Sequence, residues 1–202
     1  MKKSVFIFIA AASLTYCTQE KEVVIPTEDR EMIMTVQKET MSAMKSGMMK
    51  VLFEQVEKKG FADSVKYCSD FAPEGGKTLN QKLSEKFKNE LNLKNFSFRR
   101  TSLKYRNPNN APDELEKKVL TSWIDLYNDG KEIKPHIEPA ANGYRVLVPM
   151  LVPTVTCLGC HGTPDSIDSE AVKVIDELYP EDKAKGFVVG DLRGAISLQI
   201  EK

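Results

Sequence analysis

Cys157-Leu158-Gly159-Cys160-His161 constrains this chain more than any other stretch. Two thiols separated by two residues and followed at once by an imidazole form the pattern through which haem is attached covalently as haem c. The spacing follows from the chemistry. The thiols add across the two vinyl groups of one porphyrin, one turn of chain bridges them, and the histidine next in line faces the iron as an axial ligand. On this reading Cys157 and Cys160 hold one haem c and His161 binds its iron.

Two other readings of the thiol pair stay open. A thioredoxin-like redox pair is also Cys-x-x-Cys, but it sits at a helix start in an alternating strand and helix unit with a parallel sheet, which this chain's pattern does not offer. Structural zinc would take Cys68, Cys157, Cys160 and a histidine as a Cys3His tetrahedron. Against it, adjacent Cys160 and His161 reach one ion only under strain, and a second closely spaced ligand pair is missing.

Residues 1–16 read as a secretory signal: Lys2 and Lys3 give a positive start, residues 5–12 an apolar run, and Cys17 follows Leu14-Thr15-Tyr16. The run is too short to span a membrane. Cleavage before Cys17 and lipidation of its thiol would make a lipoprotein of the periplasm or cell envelope, although bulky Tyr16 stands where a small residue is usual. Plain cleavage of the signal leads to the same compartment. Without residues 1–16 the chain keeps 27 of its 29 basic residues against 29 acidic ones. So even a balance gives no electrostatic footprint for nucleic acid and no polybasic patch for anionic lipid, leaving membrane contact to the lipid anchor. The remaining length fits a tether at 17–27 and one domain at 28–202 with a real core.

Cysteine counting then isolates one thiol. With Cys17 lipidated and Cys157 and Cys160 on haem, Cys68 is the single thiol left of four in an exported chain. Phe61, Val65, Cys68 and Phe71 follow helical spacing, which turns Cys68 inward on a short helix that Pro73 is expected to end. Before it, residues 28–58 read as a long helix broken near Gly47, with Met41, Met44 and Met48 as a packing stripe. Gly75-Gly76 is expected to turn the chain into a helix lined by Leu79, Leu83, Phe87 and Leu91. Residues 95–104 alternate as a strand. Asn110 is expected to cap a helix with Leu115, Val119, Trp123 and Tyr127 inward. Strands at 133–137 and 144–152 flank an Asn142-Gly143 turn, a helix carries Ile167, Ala171, Ile175 and Leu178, and residues 195–200 form a last strand. Helices first and strands mostly after them make an α+β domain with an antiparallel sheet.

Tyr67-Cys68-Ser69 with Ala72-Pro73, Arg99-Arg100-Thr101-Ser102, Arg106-Asn107-Pro108, Ala111-Pro112-Asp113, residues 157–162 and Gly190-Asp191-Leu192-Arg193-Gly194 occur together and in this order. From about residue 28 to the end, the chain resembles a family of exported c-type haem domains with a PAS-like fold, long listed as a domain of unknown function and also found as sensor modules of histidine kinases. The resemblance implies a sheet of about five antiparallel strands surrounded by helices. It also implies histidine and cysteine axial ligation, which falls here on His161 and Cys68. Met150 and His136 are the rival ligands, and a buried structural thiol is the plain alternative for Cys68. Arg99, Arg100 and Arg106 are candidates to pair with haem propionates, since guanidinium forks match carboxylates.

Two protein ligands on the iron disfavour oxygen carriage and peroxidase chemistry. The leading expectation is a redox- or ligand-responsive, sensor-type haem protein, with CO or NO as ligands that displace a weakened thiolate. The alternatives are a small electron-transfer cytochrome and a zinc-stabilised interaction module. No acid and base pair, serine triad or phosphate loop supports an enzyme. With no output domain read after the last strand, the chain is expected to act through a redox or signalling partner.

Overall fold

The computed structural model describes residues 24–202. The expected signal segment, Cys17 and most of the expected tether lie outside these residues. Pro26 leads into helix α1 (Thr27–Met44), whose first turn carries Glu28 and Asp29, as the helix dipole favours. A wide π-helical turn (Lys45–Met49) joins it to α2 (Lys50–Asp70). The expected break at Gly47 is therefore a local widening. The real bend comes later, at Gly60, whose φ of 79° only glycine adopts freely.

Helix α3 (Ala72–Leu91) follows after one residue, with Pro73 in its first turn. This corrects two expectations. Pro73 opens a helix where its missing N–H costs nothing. Gly75 and Gly76 lie inside α3, because burial of Leu83 and Phe87 on its inner face outweighs their weak helix propensity.

Four strands make one antiparallel sheet in the order β1 (Asn95–Thr101), β4 (Leu192–Glu201), β3 (Gly143–Leu151), β2 (His136–Ala140). The described residues thus form four strands where the resemblance implied about five. Strand β2 starts at His136 and carries Pro139, which its position at the sheet edge tolerates. Gly143 pairs with Ala140 as the first residue of β3, since a Cβ there would lie 1.9 Å from the Ile200 carbonyl oxygen. Along the free edge of β1, the Asn80 side chain accepts from the Phe98 N–H (2.7 Å) and donates to its carbonyl (2.9 Å).

The two faces of the sheet carry separate cores. Phe96, Phe98, Val146, Val148, Ile196, Leu198 and Ile200 meet Ile33, Val36, Leu83 and Phe87 of α1 and α3. The other face, with Leu147 and Ala195, packs on Val119, Leu120 and Trp123 of α4 (Glu114–Asn128). Asp113, not Asn110, caps α4 in a reciprocal capping box with Glu116. Pro112 explains the shift, because the residue before a proline avoids helical geometry. Asn110 closes a short 3-10 turn, Pro108–Asn110.

Glu116 is fully buried and takes Arg99 Nη1 at 2.8 Å and Arg145 Nη2 at 2.9 Å. It ties β1, β3 and α4 together. Glu116→Ala strands both guanidinium groups, which keep partial access to water, so the expected loss is about 3 kcal/mol of unfolding free energy. A lower urea midpoint with an unchanged slope is the readout.

Candidate haem site

The five-residue motif closes in two tight steps, a 3-10 turn (Val155–Cys157) and the single turn α5 (Leu158–His161). So short a helix cannot satisfy its own carbonyls, and outside groups do so one by one. Asp168 N–H donates to the Gly159 carbonyl at 3.0 Å, Phe187 N–H to that of His161 at 3.0 Å, and Gly186 N–H to that of Gly162 at 2.7 Å. Arg106 Nη2 donates to the Cys160 carbonyl at 2.6 Å. Arg106 is itself clamped by buried Asp182, through Nε at 3.2 Å and Nη2 at 3.1 Å.

Packing fixes the same turn from its other side. The bend at Gly60 sets Phe61 against the motif, and a Cβ on Gly159 would lie 2.3 Å from the Phe61 ring. Val65 packs with Ala171 and Ile175 of α6 (Ser169–Leu178), and Phe61 and Cys160 join that cluster. Asp168 caps α6, accepting from Ala171 N–H at 2.9 Å, while its own N–H holds Gly159.

His161 Nδ1 lies 2.8 Å from the Ala184 carbonyl oxygen. A carbonyl only accepts, so Nδ1 carries the proton and Nε2 keeps a free lone pair. Burial, together with the positive charge of Arg193, Arg106 and Arg100, holds the imidazole well below its usual range and hence neutral. Burial pushes the Cys160 thiol up to about 11, with Arg106 opposing and Cys68, Asp168 and Cys157 adding to the rise. Burial likewise raises the Cys68 thiol, and Arg100 and Arg106 pull it back. The same two arginines therefore act on His161 and on Cys68.

The fold brings Cys68, Cys157, Cys160, His161, Arg100 and Arg106 into one region and leaves Arg99 out of it. Arg99 and Arg100 alternate on β1 and stand on opposite faces. The Arg99 fork is taken by Glu116 and by the carbonyls of Asn109 (2.9 Å) and Ala111 (2.8 Å), which replaces the propionate pairing expected for it. His136, opposite Leu147 on the α4 side of the sheet, has Nε2 at 3.1 Å from Glu138. Met150 packs against the main core at the bulge in β3. Among the described residues no three His, Cys, Asp or Glu side chains converge where they could hold a metal ion, which counts against the Cys3His zinc reading.

Arg193 belongs to the site without having been singled out. Its Nη1 donates to Ser102 Oγ and to the Lys104 carbonyl, both at 3.0 Å, and its guanidinium lies 5.2 Å from the Phe187 ring centre. Burial and the charges of Arg106 and Arg100 lower it to about 10. The only sequence signal was its place in Gly190-Asp191-Leu192-Arg193-Gly194. Asp182 and Ala184 gave none, since their roles arise from a loop folded back on the motif.

This set of groups fits a haem: two thiols two residues apart, an imidazole with Nε2 free, and a third thiol close by. Arg100 and Arg193 add positive charge, and among the described residues Arg100 has no hydrogen-bond or ion-pair partner to neutralise it. Residues 19–201 match the family described as Tll0287-like. The chain belongs to the Tll0287-like family. In fold it is similar to the protein in the "Crystal structure of the cyanobacterial heme-protein Tll0287", with a TM-score of 0.53 and 22% identity over 88% of this chain and 98% of that one. No curated protein matches the chain.

Two outcomes follow for the Tll0287-like chain. Arg106→Met leaves buried Asp182 with only Lys185, 3.9 Å away, and the Ala184 N–H, and the Cys160 carbonyl without its donor, an expected loss of about 3 kcal/mol measured by denaturant unfolding. In chain made without haem attachment, alkylation of Cys160 is expected to speed up about tenfold per pH unit up to its titration near 11, because only the thiolate reacts. Peptide mapping of the alkylated sites checks this.

Proposed function

We propose that this chain is an exported haem protein that carries one haem c and responds to redox state or to a small ligand. Three things support the reading: membership of the Tll0287-like family, a fold similar to that of a protein described as a heme-protein, and the donor set around the motif. The observation that carries it is the bond from His161 Nδ1 to the Ala184 carbonyl, which keeps Nε2 unprotonated and ready to bind iron.

Each side chain then has a part. Cys157 and Cys160 supply the thioether sulfurs. His161 would supply a nitrogen to the iron, held in its tautomer by Ala184. Cys68 would supply a second protein ligand, its sulfur; burial disfavours its thiolate, Arg100 and Arg106 offset that, and a metal-bound thiol would give up its proton. Arg100 and Arg193 would offer positive charge to the propionates, while Arg106 holds the motif's backbone. Bound haem supplies a one-electron Fe(III)/Fe(II) couple and, where the sulfur is displaced, a position for CO or NO. The chain itself catalyses no reaction. It is anchored in the cell envelope by lipid on Cys17 and passes its state to a redox or signalling partner.

Absorption and electron-resonance spectra of protein matured with haem c machinery test this directly. Haem is expected to survive denaturation, with a thiolate-ligated low-spin ferric signature. Cys68→Ala should abolish that signature, keep the haem attached, open the iron to exogenous ligands and raise the reduction potential, since the electron-rich donor favouring ferric iron is gone. A colourless protein defeats the haem reading. An unchanged spectrum in Cys68→Ala moves the ligand to another residue.

A further inference from the structure

The helical stretch from Lys45 to Glu57 shows more apolar surface than a free helix face carries at no cost. Met48, Met49, Leu52, Phe53 and Val56 are only half-buried, and Val51 is exposed. On one side, Lys45, Met49, Lys50, Phe53, Glu54 and Glu57 line an open groove. Their order is what decides its occupant. Both lysines lie toward one end, both glutamates toward the other, and Met49 and Phe53 sit in the middle.

A surface of this kind complements itself when turned end for end. In an antiparallel pairing centred between Met49 and Phe53, each Met49 meets a Phe53 and each Lys45 meets a Glu57. Among the described residues neither the Lys45 nor the Glu57 side chain has an ion-pair partner within the chain, so both are available. Lys50 and Glu54 are joined only loosely, at 4.0 Å. The balance of two bases and two acids offers nothing to an anionic lipid surface. None of the residues that line the groove belongs to the thiol cluster.

We propose that two copies of this chain form a two-fold dimer through this groove, their helices antiparallel, Met49 against Phe53 at the centre and Lys45 against Glu57 at both ends. The proposal does not depend on haem. Sedimentation equilibrium of the full chain tests it, with Lys45→Glu, Glu57→Lys and the double reversal alongside. The parent chain is expected to be a dimer. Each single reversal should weaken association about tenfold, because symmetry makes every substitution act at both ends. The double reversal restores the charge order and should recover the parent's association. Met49→Lys places a charge at the centre and should leave a monomer with an unchanged circular dichroism spectrum. A monomeric parent, single reversals without effect, or a double reversal no better than the singles would each overturn the dimer.

Discussion

Arg106 is where the fold and the chemistry of this protein meet. The 157–161 turn carries two thiols and an imidazole, yet four residues of helix cannot hold themselves in place. Asp182 grips the Arg106 fork at two points, and Arg106 in turn grips the Cys160 carbonyl. The neighbouring carbonyls are taken by backbone N–H groups of residues 168, 186 and 187. The loop from Asp182 to Phe187 thus serves as a splint that also carries the Ala184 carbonyl to His161. A charged pair so buried is costly to form and costlier to break, which gives the turn one arrangement.

The sheet divides labour between its faces. Toward α1 and α3 it is apolar down to Arg100, where the core gives way to the arginines around the motif. Toward α4 it carries Arg99, Arg145 and Asp113 around the buried Glu116, which tie strands to helix. Two adjacent arginines on one strand therefore end in different chemistry because side chains alternate across a sheet.

Much of this was legible in the residues. The motif, the leftover thiol and the apolar stripes of α3, α4 and α6 follow from spacing, and the placement of Cys68 beside Cys160 agrees with the inward face read for it. What spacing did not reveal depended on distant contacts. Gly75 and Gly76 stay helical because Phe87, eleven residues beyond the second of them, is buried. Arg99 is drawn off by Glu116, whose burial between two strands and a helix no local pattern announces. Asp182 and Arg193 acquire their roles only once the loop after α6 folds back, and no local pattern announces a carbonyl acceptor such as Ala184.

The position of β4 has a consequence for how the molecule comes into being. This strand lies between β1 and β3, so neither core can close until residues 192–201 arrive. A chain made from its N-terminus presents its helices, β1 and the 157–161 turn before that strand exists. Pairings this distant in sequence are slow to form. The thiols of the motif consequently pass through a period of free access between emergence and closure, and any machinery that works on them has that interval in which to act.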